Sequence, residues 1–170
     1  MQPLLPYSSL AVFSVFIGSQ LTEGALLVPY WQSLPAADFY AYYGKFGPSI
    51  AQFYTVLTIL AATISLALTV YCRWIGARAF SSALIASGLA LLFVASFYLY
   101  FQGANELFYR AALTEEALRQ ELHRWSTWHW GRIGIEWAAL VFLMFALAQL
   151  DREATSCPLG LGGGFEWPNY

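Results

Sequence analysis

A chain of 170 residues is long enough for one domain, but 59% of it is hydrophobic, 18% aromatic and only 11% charged. Soluble domains carry about 25% charged residues, so this chain lacks the polar surface of a water-soluble globule and reads as lipid-embedded. A formal net charge of −2 with eight dispersed Lys and Arg excludes a nucleic-acid-binding surface. The two cysteines, Cys72 and Cys157, are too few and too far apart for a disulfide framework or a thiolate metal site.

Four apolar runs, at residues 8–28, 50–72, 79–101 and 133–150, are long enough to cross about 30 Å of hydrocarbon at about 1.5 Å per residue. The first has no basic region before it and no small-residue cleavage box after it, so it reads as a retained helix and not a signal peptide. The stretch 29–47 holds Tyr30, Trp31, Phe39, Tyr40, Tyr42, Tyr43 and Phe46. A short helix is expected there, capped by Ser33, with Pro35 in its first turn and Gly44 stopping it. It would serve as an interfacial anchor or as a lid over an apolar pocket.

The second and third runs contain no charge, start after Pro48 and are joined by the turn at residues 73–78, which predicts a helical hairpin. Small residues recur every fourth position at Ala61, Ser65 and Thr69 and at Ser82, Ala86 and Ala90, marking close packing within the bundle or a homodimer seam. Thr114 with Glu115 and Glu116 opens an amphipathic helix over 114–130, on which Leu118, Leu122, Trp125, His129, Arg132 and Glu136 share one face. Gly131 and Gly134 are the expected bends between its exposed first part and the fourth span. The bundle domain is read as 1–152, and 153–170 as a Gly-rich tail ending Phe165-Glu166-Trp167-Pro168-Asn169-Tyr170. The fold class is therefore all-α: an integral membrane four-helix bundle with an aromatic interfacial loop and an extended fourth helix. The acid-free turn bearing Arg73 and Arg78 reads as cytoplasmic, placing both termini on that side of what we read as a bacterial inner membrane.

Charged groups within spans are functional candidates because lipid penalises them. Glu23, with Gln20 one turn earlier, lies on the first run, and Arg132 and Glu136 on the fourth, with His129 just before; Asn105 and Glu106 follow the third. Up-down counting brings Glu23, Asn105, His129, Arg132 and Glu136 to one end of the bundle. They form either a structural ion-pair network or a ligand or catalytic site. His123 and His129 are six apart, on opposed helix faces, so they cannot both ligate one haem. A single-His haem on His129, or a hard metal ion on Glu23, His129 and Glu136, lacks a supporting spacing motif, and no metal site or cofactor is expected.

Asn105 together with Trp125, Trp128, His129 and Arg132 in a Trp-x-x-Trp-His-x-x-Arg pattern, on four short spans with an aromatic Pro-bounded loop after the first, resembles the anthrone-oxygenase-like family of small membrane proteins. The resemblance covers about Ser14 to Leu150. It implies oxidation of a lipophilic aromatic substrate by dioxygen without a cofactor: a base removes a C–H proton, a cation holds the enolate, and the carbanion itself reduces oxygen. On this reading His129 or Glu136 is the base, Arg132 the cation and Asn105 the oxyanion donor, with Glu23 completing the polar set. Trp31, Tyr40, Trp125 and Trp128 would line the substrate site. The competing expectation is a non-catalytic accessory subunit of a larger membrane complex, contacted through the aromatic C-terminal tail.

Overall fold

The apolar runs fold as four helical columns, each long and apolar enough to cross a membrane, in a computed structural model that describes residues 4–156. The described residues form an all-α bundle without strands. The glycine-rich and aromatic part of the tail, with Cys157, lies outside the described residues.

The first column comprises α1 (Leu4–Thr22), a wide π turn (Glu23–Leu27) and α2 (Val28–Ser33). Pro29 has no N–H to offer the preceding turn, and its ring crowds the carbonyl four residues back. The widened turn accommodates this, and the Val28 N–H bonds to the Glu23 carbonyl. The second column is α3 (Ala36–Trp74), a continuous helix of 39 residues. The expected aromatic loop is thus helical: Gly44 does not stop the helix, and Pro48 lies inside it. Ser33 does not cap it either, since its hydroxyl bonds back to the Tyr30 carbonyl and Pro35 takes the N-cap position. Aromatic packing of Phe39 and Tyr43 on Trp31 and Phe108 overrides the local stop signals.

The third column is α4 (Phe80–Ser96), a second π turn (Phe97–Phe101) and α5 (Gln102–Tyr109), so Asn105 and Glu106 extend this column instead of following it. The fourth is α6 (Glu115–Ser156), which passes through Gly131 and Gly134 without interruption and continues past residue 152. Thr114 accepts the Ala117 N–H at its start, as its position predicts.

At about 1.5 Å per residue α3 and α6 are roughly 58 and 63 Å long, twice the hydrocarbon thickness. The bundle accordingly has two storeys. The lower one buries Phe13, Phe16, Ile17, Leu68, Phe93, Ala139 and Leu143. Its outer surface exposes Val56, Ile59, Leu84, Leu91, Val141 and Phe145 for contact with lipid. Small residues close it: Thr69 bonds both Ser87 and the Ala83 carbonyl across α3 and α4, and Ser82 reaches Gln149 on α6. The small-residue rows therefore serve packing within the bundle. The upper storey buries Val28, Trp31, Phe39, Tyr43, Phe101, Phe108, Leu118, Leu122 and Trp125. Around it Asp38, Lys45, Glu106, Arg110, Glu116 and Arg119 are exposed. The first part of α6 is thus packed on its apolar face and wet on the other.

Tyr7 bonds Asp151, and the Arg78 backbone N–H bonds Glu153, so residues near both described ends and the 73–78 turn share one end of the bundle. Two connections use the same helix stop. At Gly76 (φ +67°) the Ala77 N–H reaches the Cys72 carbonyl, and at Ala111 (φ +49°) the Ala112 N–H reaches the Leu107 carbonyl. Glycine adopts that left-handed conformation freely, whereas alanine is strained there by about 1 kcal/mol. Replacing Ala111→Gly should therefore raise the melting temperature in detergent by about 2–4 °C. An unchanged or lower value would show that this connection carries no such strain.

Candidate functional site

Where the two storeys meet, the first column and α6 enclose a polar cluster. Its geometry starts with a close approach: a Cβ added at Gly24 would lie 2.9 Å from His129 Cδ2 and 3.2 Å from the Trp130 ring. Absence of a side chain at this position lets the π turn lie against α6, bringing Glu23 and the Gln20 carbonyl within reach of its side chains.

Arg132 is the hub. Its Nη2 donates to Glu23 Oε2 at 3.3 Å and to His129 Nδ1 at 2.8 Å, and its Nε also donates to His129 Nδ1 at 3.2 Å. A guanidinium can only donate, so His129 Nδ1 carries no proton and accepts; Nε2 then bears the hydrogen and donates to the Gln20 carbonyl at 3.0 Å. The 3.8 Å approach of Nδ1 to Glu23 Oε2 joins two acceptors around one cation and is not a hydrogen bond. Rings surround the guanidinium carbon: Phe101 at 4.0 Å, Phe93 at 5.1 Å and Trp125 at 5.5 Å from their centroids. Such faces favour a cation where water is scarce. Phe101 closes the second π turn, so both irregular turns supply groups to Arg132.

Trp125 stacks on the His129 imidazole at 5.0 Å, and its indole N–H donates to Asn105 Oδ1 at 3.1 Å. Asn105 thus fixes Trp125. Glu136, one turn beyond Arg132, is 1% exposed, and among the described residues neither of its carboxyl oxygens has a hydrogen-bond partner. Gln20 Oε1 is buried and unpartnered in the same way. Buried acceptors without partners are rare and mark a strained, catalytic or ligand-accepting position.

A cleft of about 300 Å³ leads to the cluster, lined by Ser96 on α4 and by Thr127, Trp128, Gly131, Arg132 and Ile135 on α6. Trp128 stacks on Tyr100 at 5.0 Å with the rings nearly parallel.

Glu23, His129 and Arg132 are directly joined, and Asn105 is linked to them through Trp125. The cluster lies between two apolar storeys, not at the loop end of the bundle, because helical packing of 29–47 and of the first part of α6 adds a second core above it. Trp128 lines the cleft, whereas Trp31 touches Trp125 within the upper core. The Tyr40 hydroxyl bonds the Leu113 carbonyl, tying α3 to the α5–α6 connection. His123 is exposed, opposite His129 as their spacing predicts. Among the described residues no three acidic, His or Cys side chains are grouped to hold a metal ion, including Glu23, His129 and Glu136. Sequence reasoning missed Gly24, Phe93, Phe101, Tyr100 and Ser96, whose types carry no chemical signal; only Gly24, next to Glu23, offered a hint.

No family model, curated protein or solved structure matches the chain.

Removal of the hub should expose its importance. Arg132→Leu strands the buried Glu23 carboxylate and should destabilise the bundle by about 3–5 kcal/mol. Arg119→Leu, which breaks only an exposed pair with Glu115, should change stability by less than about 1 kcal/mol. Equal melting temperatures of the two variants in detergent would contradict the burial of Arg132.

Proposed function

We propose that this protein is a membrane enzyme that acts on a lipophilic aromatic molecule by proton transfer, as a cofactor-independent oxygenase resembling the anthrone oxygenases. The observation that carries the reading is the cleft ending on a buried arginine, with an uncommitted carboxyl group one helical turn away. A purely structural ion-pair network accounts for Glu23, Arg132 and His129, whose hydrogen bonds satisfy one another. It gives no reason for a buried Glu136 that accepts no hydrogen bond among the described residues, nor for an opening that reaches the arginine. The same two features weigh against an accessory subunit without chemistry of its own.

The bonding of the cluster divides the roles. His129 has one ring nitrogen accepting from Arg132 and the other donating to a backbone carbonyl, so it positions the guanidinium and leaves the base to Glu136. A substrate oxygen in the cleft accepts a hydrogen bond from Arg132. Glu136 removes the proton from the CH₂ that is conjugated with this oxygen across the ring system, and the negative charge moves from carboxylate to the enolate oxygen beside the cation, so the buried charge total is unchanged. The enolate reduces dioxygen and forms a C–O bond; protonation gives a hydroperoxide. Loss of water from that hydroperoxide yields the ketone, so that CH₂ and O₂ become C=O and H₂O. Asn105 holds Trp125 over the cluster, and the apolar walls keep water from the carbanion. The turn carrying Arg73 and Arg78 faces the cytoplasm, with the protein in a bacterial inner membrane.

Purified protein should consume oxygen with anthrone-type substrates, and Glu136→Gln should lower kcat by about 100-fold or more while the protein stays folded. His129→Ala should act through loss of Arg132 positioning. A Soret band, or stoichiometric iron or copper, would overturn the cofactor-free mechanism. No uptake across a panel of anthrones and lipophilic phenols would reject the oxygenase reading.

A further inference from the structure

We infer that the cleft between α4 and α6 is a lateral portal, through which a membrane-dissolved molecule with a compact, flat head enters from the lipid and presents a neutral oxygen to Arg132. The inference rests on the reading above for the chemistry that follows, and adds to it the route and the head group.

Position comes first. Tyr7, Asp151, Glu153 and the 73–78 turn mark one polar edge of the bundle. Arg132 lies 19 residues along α6 from Asp151, or about 28 Å, which is nearly the full hydrocarbon thickness. The cleft is therefore level with the far boundary between acyl chains and headgroups. Its α6 wall lies on the outside of the bundle: Thr127, Trp128 and Gly131 are exposed. The opening thus faces the lipid sideways at the depth where amphiphilic molecules hold their polar ends.

Shape and polarity then restrict the occupant. About 300 Å³ is at the small end of ligand sites, enough for a compact ring system. The Tyr100–Trp128 pair offers a flat wall. Arg132 is 8% exposed and is the charged group among the lining residues. Its Nε and Nη2 are committed to His129 and Glu23, while among the described residues no hydrogen bond reaches Nη1. Two acidic side chains, Glu23 and Glu136, already accompany this cation. An anionic head would add uncompensated charge, whereas a carbonyl oxygen accepts an N–H and adds none.

Gly131 lines the entrance on its lipid-facing side, and a Cβ built there meets nothing within 4 Å, so a side chain is tolerated at this position. A larger side chain at this lipid-facing position can fill the cleft without disturbing the bundle, which provides a test independent of catalysis. Protein in phospholipid nanodiscs is irradiated with benzophenone, whose carbonyl is both the recognised oxygen and the photoreactive group, and adducts are mapped by mass spectrometry. Adducts are expected at Trp128, Gly131 and Ile135, and Gly131→Leu should remove them. The ketone 1-tetralone should compete about tenfold better than tetralin, which has the same rings without the oxygen. The charged benzophenone-4-sulfonate should not label the cleft. Adducts spread evenly over lipid-facing residues such as Val141 and Phe145, persistence of the cleft adducts in Gly131→Leu, or equal competition by tetralin would overturn the inference. Equal labelling by the sulfonate would show that the cleft opens to water and would also overturn it. This pattern of labelling without oxygen uptake by the wild type would leave the portal standing and remove the oxygenase; undiminished uptake by Gly131→Leu would do the reverse.

Discussion

A single buried cation organises the centre of this bundle. Arg132 cannot give up its charge, so the fold must supply it with partners where water is excluded. Glu23 does so from the adjacent first column and His129 from the same helix, and Phe93, Phe101 and Trp125 enclose it with ring faces. Each partner imposes a further requirement. Glu23 needs the π turn that Pro29 favours, His129 needs Gly24 without a side chain, and Trp125 needs Asn105 to accept its indole N–H. The irregular features of the helices therefore gather at one level because one charge has to be satisfied there.

Much of this was legible in the residue pattern. The four spans follow from unbroken apolar runs, and the face from Leu118 to Glu136 follows from helical spacing. The convergence of Glu23, His129 and Arg132 follows from the cost of charge in lipid combined with alternating helix direction. What escaped was the second storey. Gly44 and Pro48 are strong local stop signals, yet α3 passes through both. Phe39 and Tyr43 form long-range aromatic contacts with Trp31 and Phe108, which outweigh two unfavourable backbone positions. Local propensity carries no information about such partners. The same limitation applies to Ala111, which fills a glycine-type position.

The candidate site was readable as a set of residue types but not as a division of labour. The family resemblance left His129 and Glu136 equivalent as candidate bases. Hydrogen bonding distinguishes their surroundings: the donors of Arg132 dictate which His129 nitrogen carries the proton, whereas among the described residues no hydrogen bond reaches Glu136. Asn105 was likewise identifiable as an amide at the end of the third span, but only its contact with Trp125 shows that it holds an aromatic ring in place. The cleft left no trace in the sequence: its lining brings Ser96 of α4 beside Thr127, Trp128, Gly131 and Ile135 of α6, residues whose types announce no shared gap.

The lengths of the columns tie this protein to the membrane around it. A polar cluster about 28 Å from one charged edge is matched to a bilayer of ordinary thickness. In a bilayer a few ångströms thicker, acyl chains would rise past Arg132 and seal the cleft in hydrocarbon; in a thinner one, headgroups and water would descend to it. Hydrophobic mismatch costs only fractions of a kcal/mol per Å, so the bundle would survive either change. The dielectric at the mouth of its cleft would change with bilayer thickness while the fold around it would not.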